Sequence, residues 1–329
     1  MTNTTLKQIS EVLGLSISTI SRALKDHPDI SEKTKKRVIE LANTLDYEPN
    51  VNAINLRTSK SKLFGLIIPS ISHLFYNSFV SAVEEESRKS GYSLMILQSG
   101  NNPDNEIINL KLFRQNRIAG LFVCLSSSTT NIQPFLKLEE QEVPVIFFDK
   151  VPEMENCNKV CVADTQSAVL AANAILLKKK KKVLGIFGSP DLLITKKRLA
   201  AFISTFKEKQ GNNVQLIIDY ATSVGEAESI TCKRFKDKID VAFCMSDEIL
   251  LGAMKAVQKN GLKIPRDIGI IAISDGFIPT LFMPEITYVE TSGYKLGKLA
   301  FSSMLACIAG SSFQQELISA SVLVNGGSL

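Results

Sequence analysis

The sequence predicts an α/β protein: a three-helix N-terminal module followed by a long body of parallel sheets flanked by helices. Three observations predict it. Within the first 24 residues a glycine separates two short amphipathic segments, and the second of these opens with serine. From Leu63 onward, short fully apolar runs alternate with helix-like stretches, as buried parallel strands and their crossover helices require. The chain has 329 residues and is 45% hydrophobic, enough to bury a large core and to exceed a single domain.

The module is taken first. Thr5 can cap a helix whose Leu6, Ile9 and Leu13 share one side. Gly14 supplies a tight turn, because a residue without Cβ takes the left-handed conformation cheaply. Ser16 caps the next helix, where Ile20 and Leu24 lie one turn apart and bury themselves. Its other face carries Ser18, Ser21 and Arg22, which are small, polar and cationic. Helix, glycine turn and serine-capped second helix is the arrangement by which a helix-turn-helix offers a recognition helix to the major groove. Arg22 suits that task, since a guanidinium can grip guanine O6 and N7 together. Pro28 breaks the chain, and Ser31 caps a third helix running to about Leu45 with Val38, Leu41, Ala42 and Leu45 on one face. Tyr47-Glu48-Pro49-Asn50 then stops it. Val51–Arg57 could make two turns of helix, too few to stand alone in water.

In the body the apolar runs are Leu63–Pro69, Tyr92–Leu97, Gly120–Leu125, Val143–Phe148, Lys159–Val162, Val183–Phe187, Val214–Ile218, Val241–Met245 and Gly269–Ile273. About nine strands over 270 residues divide better between two sheets than into one. The lysine run 178–182 reads as a solvated turn between an apolar helix and a strand. Net charge is +5, and the first 62 residues hold ten Lys/Arg against seven Asp/Glu, a mild basic bias at the end that would meet nucleic acid.

Other classes are poorly supplied. There is no P-loop, no G-x-G-x-x-G and no G-x-S-x-G elbow, and two histidines offer little acid–base chemistry. The six cysteines include no CxxC pair and read as buried thiols, so neither a metal nor a cofactor is expected. No apolar run reaches membrane-spanning length and the polar start lacks a signal-peptide core, so a cytoplasmic location without membrane contact is expected.

These residues resemble the lactose-repressor (LacI/GalR) family of bacterial transcription regulators, almost end to end. Thr5-Leu6 with Ser16–Leu24 fits the family's headpiece, and Tyr47–Asn50 with Ala53 and Leu56 fits its hinge. Pro69…Phe75, Gly120-Leu121, Asp149, Arg198…Phe202, Ser246-Asp247, Ile264–Ile268 and Asp275 fall where its body landmarks do. The resemblance implies a helix-turn-helix headpiece over 1–48 and a hinge helix over 49–61. It also implies a two-lobed body like a periplasmic binding protein: 62–161 with 292–322 as one lobe, 162–291 with 323–329 as the other. A homodimer on pseudo-palindromic operator DNA is implied, acting as a repressor under a small-molecule effector, a sugar by preference.

By family position Ile17 and Ser18 would join Arg22 in reading bases, Ile17 through apolar contact alone. Thr5, Ser16, Ser21, Ser31, Thr34 and Asn50 resemble backbone contacts, which position without specifying. Leu56 resembles the hinge leucine wedged into the minor groove, with Ala53 beside it. The effector would sit between the lobes at the carboxyl ends of their strands. Phe75 and Tyr76 could stack on a ring there. Asp149 and Asp275 could accept from hydroxyls, Arg198 could fork to vicinal hydroxyls, and Ser126 and Ser246 stand just beyond strand ends. Ser246 and Thr291 replace an Asn and a Gln at positions that often face the family's ligand.

Overall fold

The structure is a computed structural model that describes residues 4–47, 61–154, 156–210, 214–311 and 316–329. The hinge residues Asn50, Ala53 and Leu56 lie outside the described residues. The chain divides between Lys60 and Ser61 into two compact units.

The first unit contains α1 (Leu6–Leu13), α2 (Ile17–Ala23) and α3 (Glu32–Thr44). Each begins where a hydroxyl meets an unpaired N–H. Thr5 forms a reciprocal capping box with Gln8, Ser16 accepts from the Thr19 amide at 3.1 Å, and Ser31 accepts from the Thr34 amide at 3.3 Å. Gly14 ends α1 with φ of 67°, a conformation that costs glycine nothing. Ile9, Ile20, Ala23, Val38 and Ala42 make the buried core, and Leu6, Leu13, Leu24, Leu41 and Leu45 pack around it. Lys35 lies unexpectedly among the buried residues. Its ammonium reaches Asp26 at 2.6 Å and Glu32 at 2.8 Å, which ties α3 to the turn after α2.

The second unit holds two six-stranded sheets. The first contains β1 (Leu63–Ile68), β2 (Ser93–Gln98), β3 (Gly120–Val123), β4 (Val145–Phe148), β5 (Asn158–Val162) and β11 (Glu316–Ser319), in the order β11-β5-β4-β3-β1-β2. The second contains β6 (Lys182–Phe187), β7 (Gln215–Tyr220), β8 (Val241–Cys244), β9 (Gly269–Ser274), β10 (Thr287–Glu290) and β12 (Val322–Val324), in the order β12-β10-β9-β8-β6-β7. Among the described residues all pairings are parallel except β10 with β12.

Among the described residues twelve strands replace the nine expected. The additional three have only three or four residues: β10 and β11 mix polar with apolar positions, and β12 is a Val-Leu-Val run too short to announce a strand. Two lobe boundaries also move by one residue. Val162 pairs with Ser319 in the first sheet, and Val322 pairs with Glu290 in the second.

Around the first sheet lie α4 (Leu74–Lys89), α5 (Pro103–Gln115), α6 (Gln133–Glu139) and α11 (Gly293–Ile308), the last packed along α4. Around the second lie α7 (Asp164–Leu177), α8 (Leu193–Gln210), α9 (Val224–Arg234) and α10 (Asp247–Lys259). The chain therefore crosses between lobes three times: after β5, after β10 and after β11. Each lobe is cored by β-branched, Leu and Phe side chains, such as Phe79 stacked on Phe148 and Phe202 stacked on Phe243. Among the described residues no helix is long and apolar enough to cross a membrane.

Candidate functional site

Helix α2 turns Ile20 and Ala23 into the core, so its 3.6-residue period leaves Ile17, Ser18 and Arg22 exposed. Ile17 is 48% exposed, an apolar side chain facing water that nothing in the small core demands. The Arg22 guanidinium is 3.8 Å from Asp29, a loose and solvated pair that a stronger acceptor can replace. Ser16 Oγ lies 2.7 Å from Ser18 Oγ and 2.8 Å from Thr19 Oγ1, and Ser31 Oγ lies 2.9 Å from Thr34 Oγ1. Thr5, Ser16 and Ser31 are thus caps, with exposed hydroxyls at three helix starts. Ser21 is half-buried.

Between the lobes lies a cavity of about 560 Å³. Its first-lobe wall is the segment after β3, including Ser126, Ser127 and Thr129, and the segment after β4, from Asp149 to Met154. Its second-lobe wall is the start of α8, from Asp191 to Lys197, with Asp164 at the crossover. Such a volume is in the range of small-molecule sites.

Two of the seven expected effector residues, Ser126 and Asp149, line this cavity. Asp149 holds φ of 57°, and its Oδ2 accepts the Tyr76 phenol at 2.9 Å. Burial, then the Asp149 charge, pushes the adjacent Cys124 thiol up to about 12. Tyr76 was expected to stack on a ligand ring; instead it is buried, its hydroxyl engaged and its ring 4.7 Å from that of His73. Phe75 is half-buried, edge-on to Tyr76, and does not line the cavity.

Arg198 is held by the fold. Its Nε donates to Asp164 at 2.9 Å and its Nη1 to the Met245 carbonyl at 3.1 Å, so two edges of the guanidinium serve the fold. Burial raises the Asp164 carboxyl and Arg198 opposes that shift. Ser246 is the cap of α10, accepting from the Ile249 amide at 3.4 Å, and does not line the cavity. Asp275 does not line it either. It bridges the lobes by accepting the Gly293 amide at 2.6 Å. A second bridge runs from His73 Nε2 to Glu248, 3.2 Å away.

Sequence reasoning missed what holds the first-lobe wall. Glu106, buried on α5, accepts the Ser126 amide at 2.5 Å and the Thr129 hydroxyl at 2.8 Å. Asn101 accepts from the Ser127 amide at 2.9 Å and donates to its hydroxyl at 2.7 Å. The one available signal was polarity within an otherwise amphipathic helix, and polarity names no partner.

Residues 61–323 match the family described as periplasmic binding proteins and the sugar-binding domain of the LacI family, and residues 5–50 match the LacI family of bacterial regulatory proteins. The chain belongs to the LacI family. This LacI-family protein is a DNA-binding transcription regulator, with its helix-turn-helix in the first unit and its effector-binding body in the second. It is 26% identical to the HTH-type transcriptional regulator RegA of Clostridium acetobutylicum over 309 residues, covering 92% of each chain. It is similar in fold to the lac repressor dimer solved with operator and an anti-inducer (TM-score 0.88, 20% identity, 99% of each chain). It is also similar to a LacI-family regulator from Enterococcus faecium solved with ribose (TM-score 0.73, 18% identity, 81% of this chain and 98% of that one).

Proposed function

We propose that this regulator is a cytoplasmic repressor that reads a pseudo-palindromic operator as a homodimer and is switched by a small polyhydroxylated metabolite, a monosaccharide by class. The observation that carries the ligand reading is the interlobe cavity. Ser126, Ser127, Thr129, Asp149 and Asp164 line one cleft built from both lobes. Neutral polyols suit such a lining because every hydroxyl both donates and accepts. The ribose-bound relative supports the same class.

Arg22, Ile17 and Ser18 are assigned to base reading. Thr5, Ser16, Ser21, Ser31, Thr34 and Asn50 are assigned to the DNA backbone, with Ala53 and Leu56 in the minor groove. Ligand filling the cavity changes the free energy of one lobe orientation over another, and the segment joining the lobes to the headpiece transmits it. Phe277, Leu281 and Met283 support the homodimer, since they form an exposed apolar stretch on the second lobe.

Thermal shift against pentoses, hexoses, disaccharides, sugar phosphates, nucleobases and amino acids tests the ligand class. A ligand at a hundred times its Kd adds about 2.7 kcal/mol, several degrees in Tm. A hit confined to nucleobases or amino acids refutes the sugar assignment and leaves the DNA reading untouched.

A further inference from the structure

The lysine run 178–182 does not stand alone. Strands β7, β6, β8 and β9 are parallel neighbours paired from their first residues, Lys182 with Gln215, Val183 with Val241 and Val241 with Gly269. The loops that precede them therefore lie side by side, at the end of the sheet away from the cleft. Asp240 knits them together. Its Oδ2 accepts the amides of Lys181 and Lys182, each at 2.9 Å, and its carbonyl accepts the Gly269 amide at 2.9 Å. The lysine turn is thus fixed by its backbone, and its side chains are left to solvent.

Residues 178–182, 207–209, 233–240 and 260–268 bring thirteen basic and four acidic side chains to this end. That surplus exceeds the +5 of the entire chain, so the rest of the molecule is net acidic. The two arginines are neutralised on the spot, Arg234 by Asp219 at 2.6 Å and Arg266 by Asp267 at 2.8 Å. The lysine run, with Lys207, Lys233, Lys236, Lys238 and Lys263, makes no ion pair among the described residues.

A one-signed surface repels itself, and a polyanion relieves it. The chemistry around the lysines selects which polyanion. Among the described residues of these four loops and the positions flanking them, Leu177 is the one large apolar side chain exposed. Protein interfaces are depleted in Lys and centred on aromatic or apolar anchors, and stable membrane binding needs an inserted apolar group as well as charge. A phosphodiester backbone needs neither: lysines alone release its counterions. Duplex DNA is also the polyanion this regulator already meets. We propose that this end of the second lobe is a sequence-independent docking surface for the phosphate backbone of duplex DNA, distinct from helix α2, so that one molecule can hold two DNA segments.

The test uses residues 61–329, a compact unit with three hydrophobic cores separate from that of the headpiece. Fluorescence anisotropy with a mixed-sequence duplex is followed over a salt series. The body is expected to bind at low salt, with log affinity falling linearly against log salt by about 0.9 per phosphate contact. K179Q/K180Q/K181Q should lower that slope by up to about 2.7 and weaken binding at least tenfold, with an unchanged Tm because Asp240 grips backbone amides. K111Q/K137Q, which removes exposed lysines from the first lobe, should leave the slope as it was. No binding by the body, or equal slopes for the triple variant and the unaltered body, overturns the proposal. Tighter binding of polyglutamate or of phosphatidylserine vesicles than of duplex overturns the DNA assignment in favour of an acidic protein or a membrane.

Discussion

Asp275 Oδ1 accepts the backbone N–H of Gly293 across 2.6 Å, so a carboxylate at the end of β9 in the second lobe caps the first residue of α11 in the first. The contact sits at one of the three crossings and ties lobe orientation to one side chain. A hydrogen bond to a charged group contributes about 1.5–3 kcal/mol when well shielded, and Asp275 is partly solvated, so the lower end applies. Asp275→Ala should lower the Tm of the full chain by a few degrees. Calorimetry showing no change would remove the contact from the account of how the lobes are held.

The neighbour of that contact titrates. Asp247 at the start of α10 is buried, accepts the Ser274 hydroxyl and the Asp275 amide, and is pushed up to about 6, mainly by burial. A carboxyl raised in the folded state binds more protons there than in the unfolded chain, whose carboxyl stays near 3.8. Its favourable contribution is present in full below the unfolded value and is lost as pH rises through the folded one. Asp164 and Asp275 are raised as well and act in the same direction. Between about pH 4 and pH 6 the wild type minus Asp247→Asn difference in Tm should shrink as pH rises. A difference that is flat with pH contradicts the assignment of Asp247 as that group.

Local chemistry explains what the sequence disclosed. Thr5, Ser16 and Ser31 each satisfy an N–H three residues on, and Gly14 turns where a Cβ resists turning, so the headpiece is written in short-range terms. The central strands announce themselves because burial on both faces demands uninterrupted apolar residues. Strands near the sheet edges face other demands. Thr287–Glu290 buries alternate residues and Glu316–Ser319 is half exposed, so neither carries that signature. The cleft is least legible because its partners are remote in sequence. Arg198 meets Asp164 at 34 residues' separation, Glu106 meets Ser126 at 20, and Tyr76 meets Asp149 at 73. A cation or carboxylate after a strand can equally face a ligand or a structural partner, and only the fold chooses.

Arg22→Ala should cost about 1–3 kcal/mol of discrimination at one base position of each half-site, or 5- to 150-fold in relative affinity. Because the guanidinium is exposed and its nearest acid is 3.8 Å away, Tm should stay within a degree or so of wild type. Binding-site selection on both proteins is the measurement, and an unchanged base preference would refute the reading role of helix α2.

The six thiols should separate by burial. Cys124, Cys157, Cys161 and Cys244 are buried, whereas Cys232 and Cys307 are partly exposed. Thiolates are the reactive species, and burial raises the thiols of all four interior cysteines. An aromatic disulfide reagent at pH 8 should label two cysteines in the native protein and six after denaturation. Rapid native labelling of Cys124 would show that the core beneath Asp149 opens.

Met283 is 96% exposed, and it follows Phe277 and Leu281, also exposed, on the connection between β9 and β10. Three large apolar side chains on one short surface segment lose more by hydration than isolated ones, and burying each against a second copy is worth about 1.5–3 kcal/mol. Introducing charge there sets a desolvation cost against the same gain. Leu281→Asp with Met283→Asp should therefore convert a dimer into a monomer by analytical ultracentrifugation. The variant should keep its sheets, because the side chains it alters touch water and not the core. It should also bind a single half-site and lose the added affinity of a full palindrome, since two headpieces joined through their bodies bind the second half-site intramolecularly. A variant that still sediments as a dimer would move the interface elsewhere on the body.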